Sequence, residues 1–268
     1  MKNRKIFKFF TFLFFMVVFS VIFVYYNNNY ISITKVDYKN DYIDDYTIVH
    51  ISDLHNMDTH GRLAKKIKLC NPDIIVFTGD ISDGKHYDLD IVINEMKQIV
   101  EIAPTYYVNG NHERWLDYEN IYGELEEIGV TLLLNDNIYI NDDINLIGVN
   151  DPAFGEPVEV MMQQINNMSC DDKLNVILSH RPELFDNYVE TKGDLFLTGH
   201  AHGGQWIIPF TKQGLYAPNQ GRFPKYTQGI FNNNSITMIV NRGLGNSGFP
   251  LRLFNTPEII KINLIKNK

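Results

Sequence analysis

The sequence lacks several features that define common protein classes. It has only two cysteines, Cys70 and Cys170, in 268 residues. Two are too few for the disulfide framework of a small secreted domain, and their spacing does not show whether they pair. The sequence has no nucleophile elbow and no G-x-x-x-x-G-K-S/T loop, which argues against an α/β-hydrolase or a P-loop nucleotidase. No internal repeat stands out.

The chain also lacks an excess of positive charge. Its formal net charge is -8 at pH 7, and four of its basic residues lie within the first eight positions, so the chain from residue 31 onward is more acidic still. Proteins that bind nucleic acid broadly depend on a basic surface. Nucleic acid is therefore not expected as a partner, whereas an acidic surface does not exclude a lipid substrate.

A long hydrophobic run is present at the N-terminus. Residues 9–26 carry no charge, and they follow the basic residues Lys2, Arg4, Lys5 and Lys8. A run of about eighteen residues is near the minimum for a helix that crosses the hydrocarbon core of a bilayer. Because basic residues favour the cytoplasmic side, the pattern predicts a single-pass cell-membrane anchor with the rest of the chain outside the cytoplasm.

A cleaved signal peptide is the competing interpretation of this run. It would end in a small-residue A-x-A-like site, but residues 21–26 lead directly into Asn27. No cysteine lies near enough for lipid attachment. We therefore favour an uncleaved anchor over residues 1–30, followed by one domain over residues 31–268, which is long enough to bury a substantial core.

Metal-ligating side chains follow five apolar runs whose composition is typical of strands. The runs are residues 46–51, 73–78, 105–108, 174–178 and 194–197. The first run leads into Asp53 and His55, the second into Asp80, and the third into Asn111 and His112. The fourth leads into His180, and the fifth leads into His200 and His202. Open α/β sheets place their ligands at the carboxyl ends of the strands, so these side chains are expected to meet at one rim. Neighbouring glycines let the backbone turn sharply there.

The ligand types indicate a centre with two metal ions. Asp and His supply hard oxygen and borderline nitrogen ligands. Two ions about 3.5–4 Å apart need one group that contacts both, commonly a carboxylate or a water. Asp80 is the natural bridge, because its carboxylate emerges at the end of a run that reads as a buried parallel strand.

These motifs resemble those of the calcineurin-like metallophosphoesterases, which carry D-x-H, G-D, G-N-H-D/E, a later single His, and G-H-x-H. All five occur here in that order, within residues 47–264. The resemblance implies an α/β fold, a four-layer αββα sandwich of two mixed sheets with flanking helices. Residues 241–245 are also similar to a segment of a membrane-anchored subgroup, which includes enzymes similar to UDP-2,3-diacylglucosamine pyrophosphatases and wall-associated phosphoesterases.

The same resemblance implies a role for each motif residue. One ion would be held by Asp53, His55, Asp80 and His202, and the other by Asp80, Asn111, His180 and His200. His112 would bind no metal and would act on the substrate, as general acid for the leaving oxygen or as a cationic stabiliser of the phosphoryl group. Glu113 would orient His112.

The chemistry implied is hydrolysis of a phosphate ester. Two divalent ions, manganese, iron or zinc, acidify a shared water that attacks phosphorus. The substrate would be a phosphorylated small molecule or an envelope lipid, and its bond a phosphodiester, a pyrophosphate or a phosphomonoester. Two alternatives are a membrane-anchored metal-binding module with little turnover and a nuclease of the same superfamily. The sequence does not indicate the oligomeric state.

Residues outside these ligand sets have simpler interpretations. His50 is expected in the core, and His60 and His86 on the surface. For Asp83 a role in orienting a ligand and a role in shaping the turn are both open. Arg114 is expected to be an exposed loop residue. Arg242 has two interpretations, contact with a phosphate and a structural salt bridge.

Residues 203–234 show few regular patterns and are rich in Gly, Pro, aromatic and amide residues. Long loops of this kind are often functional, so this one is expected either to wall the active site or to be an ordinary packed insertion. The Asn-rich patches at residues 27–29 and 232–234 are expected to be solvated loops.

Overall fold

The computed structural model describes residues 2–84, 88–233 and 236–267. The α-helices are α1 (Lys2–Asn29), α2 (Arg62–Lys68), α3 (Leu89–Val100), α4 (Tyr118–Glu127), α5 (Val158–Met168) and α6 (Phe185–Tyr188). The first seven strands are β1 (Ser32–Asn40), β2 (Tyr46–Ile51), β3 (Ile74–Thr78), β4 (Thr105–Val108), β5 (Val130–Leu132), β6 (Asp136–Tyr139) and β7 (Ile144–Gly148). The remaining strands are β8 (Leu174–Leu178), β9 (Leu195–Thr198), β10 (Tyr216–Ala217), β11 (Gly221–Arg222), β12 (Gly229–Asn233), β13 (Ile236–Val240) and β14 (Glu258–Lys266).

Two mixed six-stranded sheets form the centre of the fold. The first has the order β1-β14-β2-β3-β4-β5 and the second the order β12-β13-β9-β8-β7-β6. Strands β2, β3, β4 and β5 run parallel to one another, and so do β7, β8, β9 and β13. In the first sheet, β14 pairs antiparallel with β2. In the second sheet, β12 pairs antiparallel with β13, and β6 pairs antiparallel with β7.

The two sheets pack face to face through a dry apolar layer. Ile48, Val76 and Val108 of the first sheet lie in one buried cluster with Leu146 and Leu178 of the second. The strands that carry these residues are buried on both faces, which explains why they read as continuous hydrophobic runs instead of alternating patterns.

Helices cover the outer faces of both sheets. Helices α2, α3 and α4 bury apolar residues on the first sheet, in a cluster that includes Leu63, Met96 and Leu125. Helices α5 and α6 do the same on the second sheet, through Ile165 and Phe185. The four-layer αββα sandwich that the sequence predicts is therefore confirmed.

Most of the predicted helices and strands are present. The exceptions are a strand that pairs with a distant part of the chain and two patches of polar residues. Strand β1 was not expected, because its stability comes from parallel pairing with β14 more than 220 residues later in the chain. The Asn-rich patches are not solvated loops as predicted. Asn27 is buried in the last turn of α1, and residues 232 and 233 belong to β12. Residue 234 and His86 lie outside the described residues.

Helix α1 stands away from the sandwich for most of its length. The segment Arg4–Asn29 is long and apolar enough to cross a membrane, and most of its large hydrophobic side chains are exposed. Its last turn contacts the domain, where Asn28 and Arg252 exchange two hydrogen bonds. Cys70 and Cys170 are both free thiols.

We expect the layer between the sheets to supply much of the stability. Leu146→Ala should lower the free energy of unfolding by about 2–5 kcal/mol, because it leaves a cavity in this fully buried layer. Urea titration of the full-length chain in detergent would measure the change. Leu69→Ala is the matched control, since Leu69 is exposed and should change that free energy by less than about 0.5 kcal/mol. Equal losses in the two variants would contradict the assignment of this core.

Candidate dinuclear metal centre

Loops at the carboxyl ends of five strands meet at one rim of the sandwich. In the first sheet, β2 leads into Asp53 and His55, β3 into Asp80, and β4 into Asn111 and His112. In the second sheet, β8 leads into His180, and β9 leads into His200 and His202. Backbone hydrogen bonds link the loops, from Asp53 N–H to the Gly79 carbonyl at 3.0 Å and from Gly199 N–H to the His180 carbonyl at 3.1 Å.

One group of buried ligand atoms consists of Asp53, His55, Asp80 and His202, with one atom of each within 4.8 Å of the others. His55 Nε2 lies 3.2 Å from His202 Nε2, and His202 Nε2 lies 3.4 Å from Asp53 Oδ1. Two imidazole nitrogens that face each other beside carboxylate oxygens bring candidate ligand atoms to a common point. Such an arrangement is suited to a cation.

A second group lies beside the first and shares Asp80 with it. It comprises Asp80, His180 and His200. His180 Nε2 lies 3.1 Å from Asp80 Oδ2 and 3.1 Å from His200 Nδ1. The Asp80 carboxylate is oriented by the His112 backbone N–H, which donates to Oδ1 at 2.8 Å. This bond leaves Oδ2 facing the imidazoles of both groups.

Asn111 provides an independent test of whether the site fits a metal. Its Oδ1 is buried and, among the described residues, has no hydrogen-bond partner. A buried amide oxygen without a partner carries a desolvation penalty, which coordination to a cation removes. Asn111 follows β4 on the same rim as Asp80. The residues present therefore fit a pair of divalent ions.

Burial favours the neutral form of His55, His200 and His202, whereas the facing Asp80 carboxylate favours the cationic form of His180. His180 Nδ1 donates to the Thr78 carbonyl at 2.7 Å. Burial opposes a charge on this ring, but Asp80 raises its pKa to about 10, so a metal ion bound there would displace the Nε2 proton. Burial lowers the pKa of His55 to about 4 and lowers the pKa of His202 well below its ordinary value. Burial opposes ionisation of Asp80, but the facing His180 and His55 rings hold its pKa well below the ordinary range.

The backbone of the site is held in an unfavourable conformation. Asp53, His55, Asp80, His200 and His202 all have positive φ angles, between 45° and 63°. Residues other than glycine rarely adopt this left-handed region, and such strain persists mainly where function requires it. The concentration of this strain in candidate ligands is a structural sign of a functional site.

Glycines let the loops approach one another closely. A Cβ on Gly110 would collide with the Asp80 carboxylate, and a Cβ on Gly199 would collide with the side chains of Ser52 and Asp53. Any larger residue at either position would displace a candidate ligand. The glycines beside the motifs therefore serve close approach between loops as well as sharp turning.

His112 lies at the edge of this centre and is partly exposed. The Gly84 backbone N–H donates to His112 Nδ1 at 3.0 Å, so the neutral ring carries its proton on Nε2. That Nε2 lies 3.1 Å from Ser247 Oγ and 3.9 Å from Asp80 Oδ2. Asp83 Oδ1 lies 3.6 Å from Nδ1, too far for a hydrogen bond, and His112 is not one of the candidate metal ligands, so both interpretations of Asp83 stay open.

Glu113 has a different role from the one predicted. Its buried carboxylate accepts backbone N–H groups of Asp80 at 3.0 Å, Ile81 at 2.8 Å and Gly110 at 2.7 Å. It therefore fastens the loop after β3 to the loop after β4, and His112 is oriented by Gly84 instead. The expectation that Glu113 orients the His112 ring is wrong, because these backbone donors occupy its carboxylate.

Sequence reasoning missed a polar cluster behind His200. Arg181 forms a bidentate pair with Asp151, and its Nη1 lies 2.9 Å from both His200 Nε2 and Asn219 Oδ1. Asn219 Oδ1 is 3.1 Å from His200 Nε2 and can accept its proton, whereas Arg181 can only donate to that nitrogen, so the two contacts select opposite tautomers of His200. The Asn219 contact is the one that leaves the Nδ1 lone pair facing the second group. Arg181 directly follows His180 in the sequence, and that adjacency was the available signal.

A second missed residue is Arg252, which is fully buried. Its guanidinium donates to the carbonyls of Gly245 at 2.5 Å and Arg242 at 2.9 Å, and its Nη2 lies 3.3 Å from His202 Nδ1. Burial lowers its pKa to about 10. Nothing in the local sequence distinguishes this arginine from an exposed one, because the backbone carbonyls to which it donates, ten and seven residues earlier, carry no side-chain signal.

The remaining expectations can be compared with the structure directly. Arg242 pairs with Glu258 at 3.0 Å, so its salt-bridge interpretation is confirmed. His50 is buried in the core, with Nε2 2.8 Å from Thr78 Oγ1, and burial lowers its pKa to about 3. His60 and Arg114 are exposed as predicted.

The long segment after His202 forms one side of the cleft. Gln205, Tyr216 and Pro218 line a cavity of about 440 Å³ together with His202, Ser247 and Phe249. Ser247 and Gly248 line this cavity and also a second one of about 560 Å³, which is lined by His112 and Trp115 as well. The interpretation that the segment after residue 203 walls the site therefore has structural support.

Several proteins with similar sequences are named metallophosphoesterases. The sequence profile of the calcineurin-like phosphoesterases matches residues 46–241. The metallophosphoesterase YkuE of Bacillus subtilis is 28% identical over 233 residues, which cover 82% of this chain and 77% of YkuE. A Helicobacter pylori metallophosphoesterase is 26% identical over 227 residues, which cover 82% of this chain and 58% of that protein. The chain thus spans less than two thirds of the Helicobacter protein.

Solved structures share the fold at low sequence identity. A dimetal phosphatase from Danio rerio has a TM-score of 0.50 and 11% identity, with 75% of this chain and 88% of that chain covered. The protein TT1561 of Thermus thermophilus also has a TM-score of 0.50, with 14% identity over 75% of this chain and 90% of that chain. At these identities the likeness shows the fold alone.

We expect the metal-free protein to take up two divalent ions per chain. Asp80→Ala should bind fewer than one, because the variant removes the carboxylate that both groups share. Equilibrium dialysis against manganese followed by elemental analysis would measure the stoichiometry. Asp90→Ala, which removes an exposed carboxylate on α3, is the matched control and should keep both ions. Two ions bound to Asp80→Ala would contradict the shared-ligand arrangement.

Proposed function

Because the chain belongs to the calcineurin-like phosphoesterase family, we propose that it hydrolyses a phosphate ester at a centre with two divalent ions. The observation that carries the proposal is the pair of buried ligand groups that share Asp80 next to a partly exposed His112. Neither group alone would distinguish a catalytic centre from a structural metal site. A shared carboxylate beside a proton donor is the arrangement that two-metal phosphoryl chemistry uses.

The proposed ligands divide between two positions. Asp53, His55, Asp80 and His202 would hold one ion. Asp80, His180 and His200 would hold the other, with Asn111 as a fourth ligand. The mixed nitrogen and oxygen donors suit manganese, iron or zinc. When bound, such ions acidify water and neutralise charge on the phosphoryl oxygens.

His112 is the proposed catalytic residue of the chain. As a general acid it would be protonated on both ring nitrogens and would transfer the Nε2 proton, at the edge of the cleft, to the leaving oxygen of the ester, keeping the proton on Nδ1. Ser247 Oγ lies 3.1 Å from Nε2 and marks the direction in which that nitrogen can donate.

Location and substrate form the second part of the proposal. We propose that residues 1–30 are an uncleaved membrane anchor and that residues 31–268 form a catalytic domain outside the cytoplasm, close to the membrane. Two observations support this division, the apolar length of α1 and the contact of its last turn with the domain. A membrane-tethered domain favours a phosphorylated amphiphile, such as an envelope lipid or a UDP-linked lipid, as substrate.

We expect His112→Ala to keep both ions and to lose at least about 100-fold in kcat, since general acid catalysis by a positioned His typically contributes a factor of this size. Steady-state hydrolysis of bis-p-nitrophenyl phosphate, with metal analysis of the same sample, would separate the two effects. His60→Ala removes an exposed imidazole and should behave as wild type. Full activity in His112→Ala would refute its catalytic role.

The bond class can be determined with a parallel substrate panel. The full-length chain in detergent, supplied with manganese, iron or zinc, is expected to cleave at least one of bis-p-nitrophenyl phosphate, p-nitrophenyl phosphate and a UDP-linked lipid. Asp80→Ala should abolish that turnover. Two bound ions without any turnover would instead favour a metal-binding module, and release of nucleotides from DNA would favour a nuclease.

A further inference from the structure

The end of helix α1 is fixed to the loop that borders the cleft. Asn28 Oδ1 accepts the Arg252 N–H at 2.8 Å, and Asn28 Nδ2 donates to the Arg252 carbonyl at 3.1 Å. One residue earlier in the helix, buried Asn27 accepts the Asn255 N–H at 3.2 Å. A flexible tether would make no such bonds. The orientation of the helix therefore determines which face of the domain is turned toward a membrane.

Contact between the helix and this loop continues toward the helix centre. The Phe23 and Phe254 rings lie 4.9 Å apart between centroids. Pro250 and Leu251 line a cavity of about 500 Å³ together with α1 residues between Ser20 and Asn29. Phe254 has a φ angle of 55°, a costly conformation for a bulky side chain, so its position against the helix is maintained despite local strain.

Helix geometry gives the depth of this contact. The uncharged run at residues 9–26 would be about 27 Å long at 1.5 Å per residue, close to the thickness of the hydrocarbon core, which is about 30 Å. Its last residue, Tyr26, would then lie near the lipid boundary. Phe23 lies roughly 4.5 Å inside that boundary along the helix axis, since it is three residues earlier. A side chain that packs on Phe23 cannot remain entirely in water.

The composition of the loop matches that environment. Arg252 is the one charged residue between positions 249 and 254, and its side chain is fully buried, donating to carbonyls inside the domain. Phe249 and Phe254 are each about half exposed. The loop therefore turns its charge inward and its aromatic rings outward, the reverse of an ordinary soluble loop.

Basic side chains flank the same end of α1 at the level expected for lipid head groups. Arg62 Nη1 donates to the Asn29 carbonyl at 2.8 Å, and Lys66 Nζ lies 4.8 Å from the centre of the Tyr30 ring. The domain as a whole is acidic, so a basic cluster at this position is distinctive. Cations at this depth attract anionic phospholipids.

We propose that residues 249–254 enter the lipid bilayer as a second membrane contact beside α1 and hold the mouth of the cleft at the lipid surface. The proposal rests on α1 being a membrane anchor, as proposed above. Ser247 and Gly248, just before the loop, line the cavity that contains His112. A substrate whose phosphate lies at the surface of the same membrane would reach the metal centre without leaving the bilayer.

The test uses the full-length chain in nanodiscs that contain phosphatidylglycerol. With both native cysteines replaced by Ser, a single fluorescent NBD label is attached in separate Phe15→Cys, Phe254→Cys and Tyr139→Cys variants. Phe15 lies in the exposed middle of α1, and Tyr139 is an exposed residue of the edge strand β6. Lipids that carry a spin label near the head group or along the acyl chain then quench each fluorophore according to its depth.

We expect strong quenching at positions 15 and 254 and little at position 139. If the label at position 15 is quenched strongly and the label at position 254 is quenched as little as that at position 139, the loop contact is overturned and the anchor is left intact. An absence of quenching at 15 would overturn the anchor and the loop contact together, without bearing on hydrolysis. Hydrolysis of bis-p-nitrophenyl phosphate by each labelled variant verifies folding, and Leu251→Cys provides a second label position in the loop.

Discussion

The Asp80 carboxylate is the group on which both halves of the site depend. It lies at the end of β3, where the two sheets meet, and is almost fully buried. An isolated carboxylate in such a place would be expelled or protonated. Here the His112 backbone N–H holds one oxygen, while the other faces His55 and His180. The charge of Asp80 thus creates a need for cations that the surrounding imidazoles and a metal pair can satisfy.

Much of the surrounding structure keeps this carboxylate in place. Glu113 joins the loops after β3 and β4 through three backbone N–H groups, and Gly110 allows these loops to approach. Strained φ angles at Asp53 and Asp80 show that the native packing overrides local preference. The rigid sandwich supplies that packing, since the strands on either side of the loops are buried on both faces.

The short-range parts of this arrangement were predictable, and the long-range parts were not. Apolar runs followed by Asp, His and Asn at glycine-rich turns indicated both the strands and the candidate ligands. The role of Glu113 was misassigned, because its partners are backbone groups of a loop about thirty residues earlier, which carry no side-chain signal. Arg252 was overlooked because the backbone carbonyls to which it donates, seven and ten residues earlier, likewise carry no such signal. Asn27 looked solvated because polar residues at the end of an apolar run usually are, whereas here it is buried against Asn255.

The most direct test of the account is to locate the metal ions themselves. Anomalous diffraction at the manganese edge, from crystals of the full-length chain grown with manganese, would show ion positions without depending on activity. The account predicts two peaks about 3.5–4 Å apart, one on each side of the Asp80 carboxylate, with the Asn111 side chain at the second. A single peak, or two peaks that do not share Asp80, would contradict a dinuclear centre.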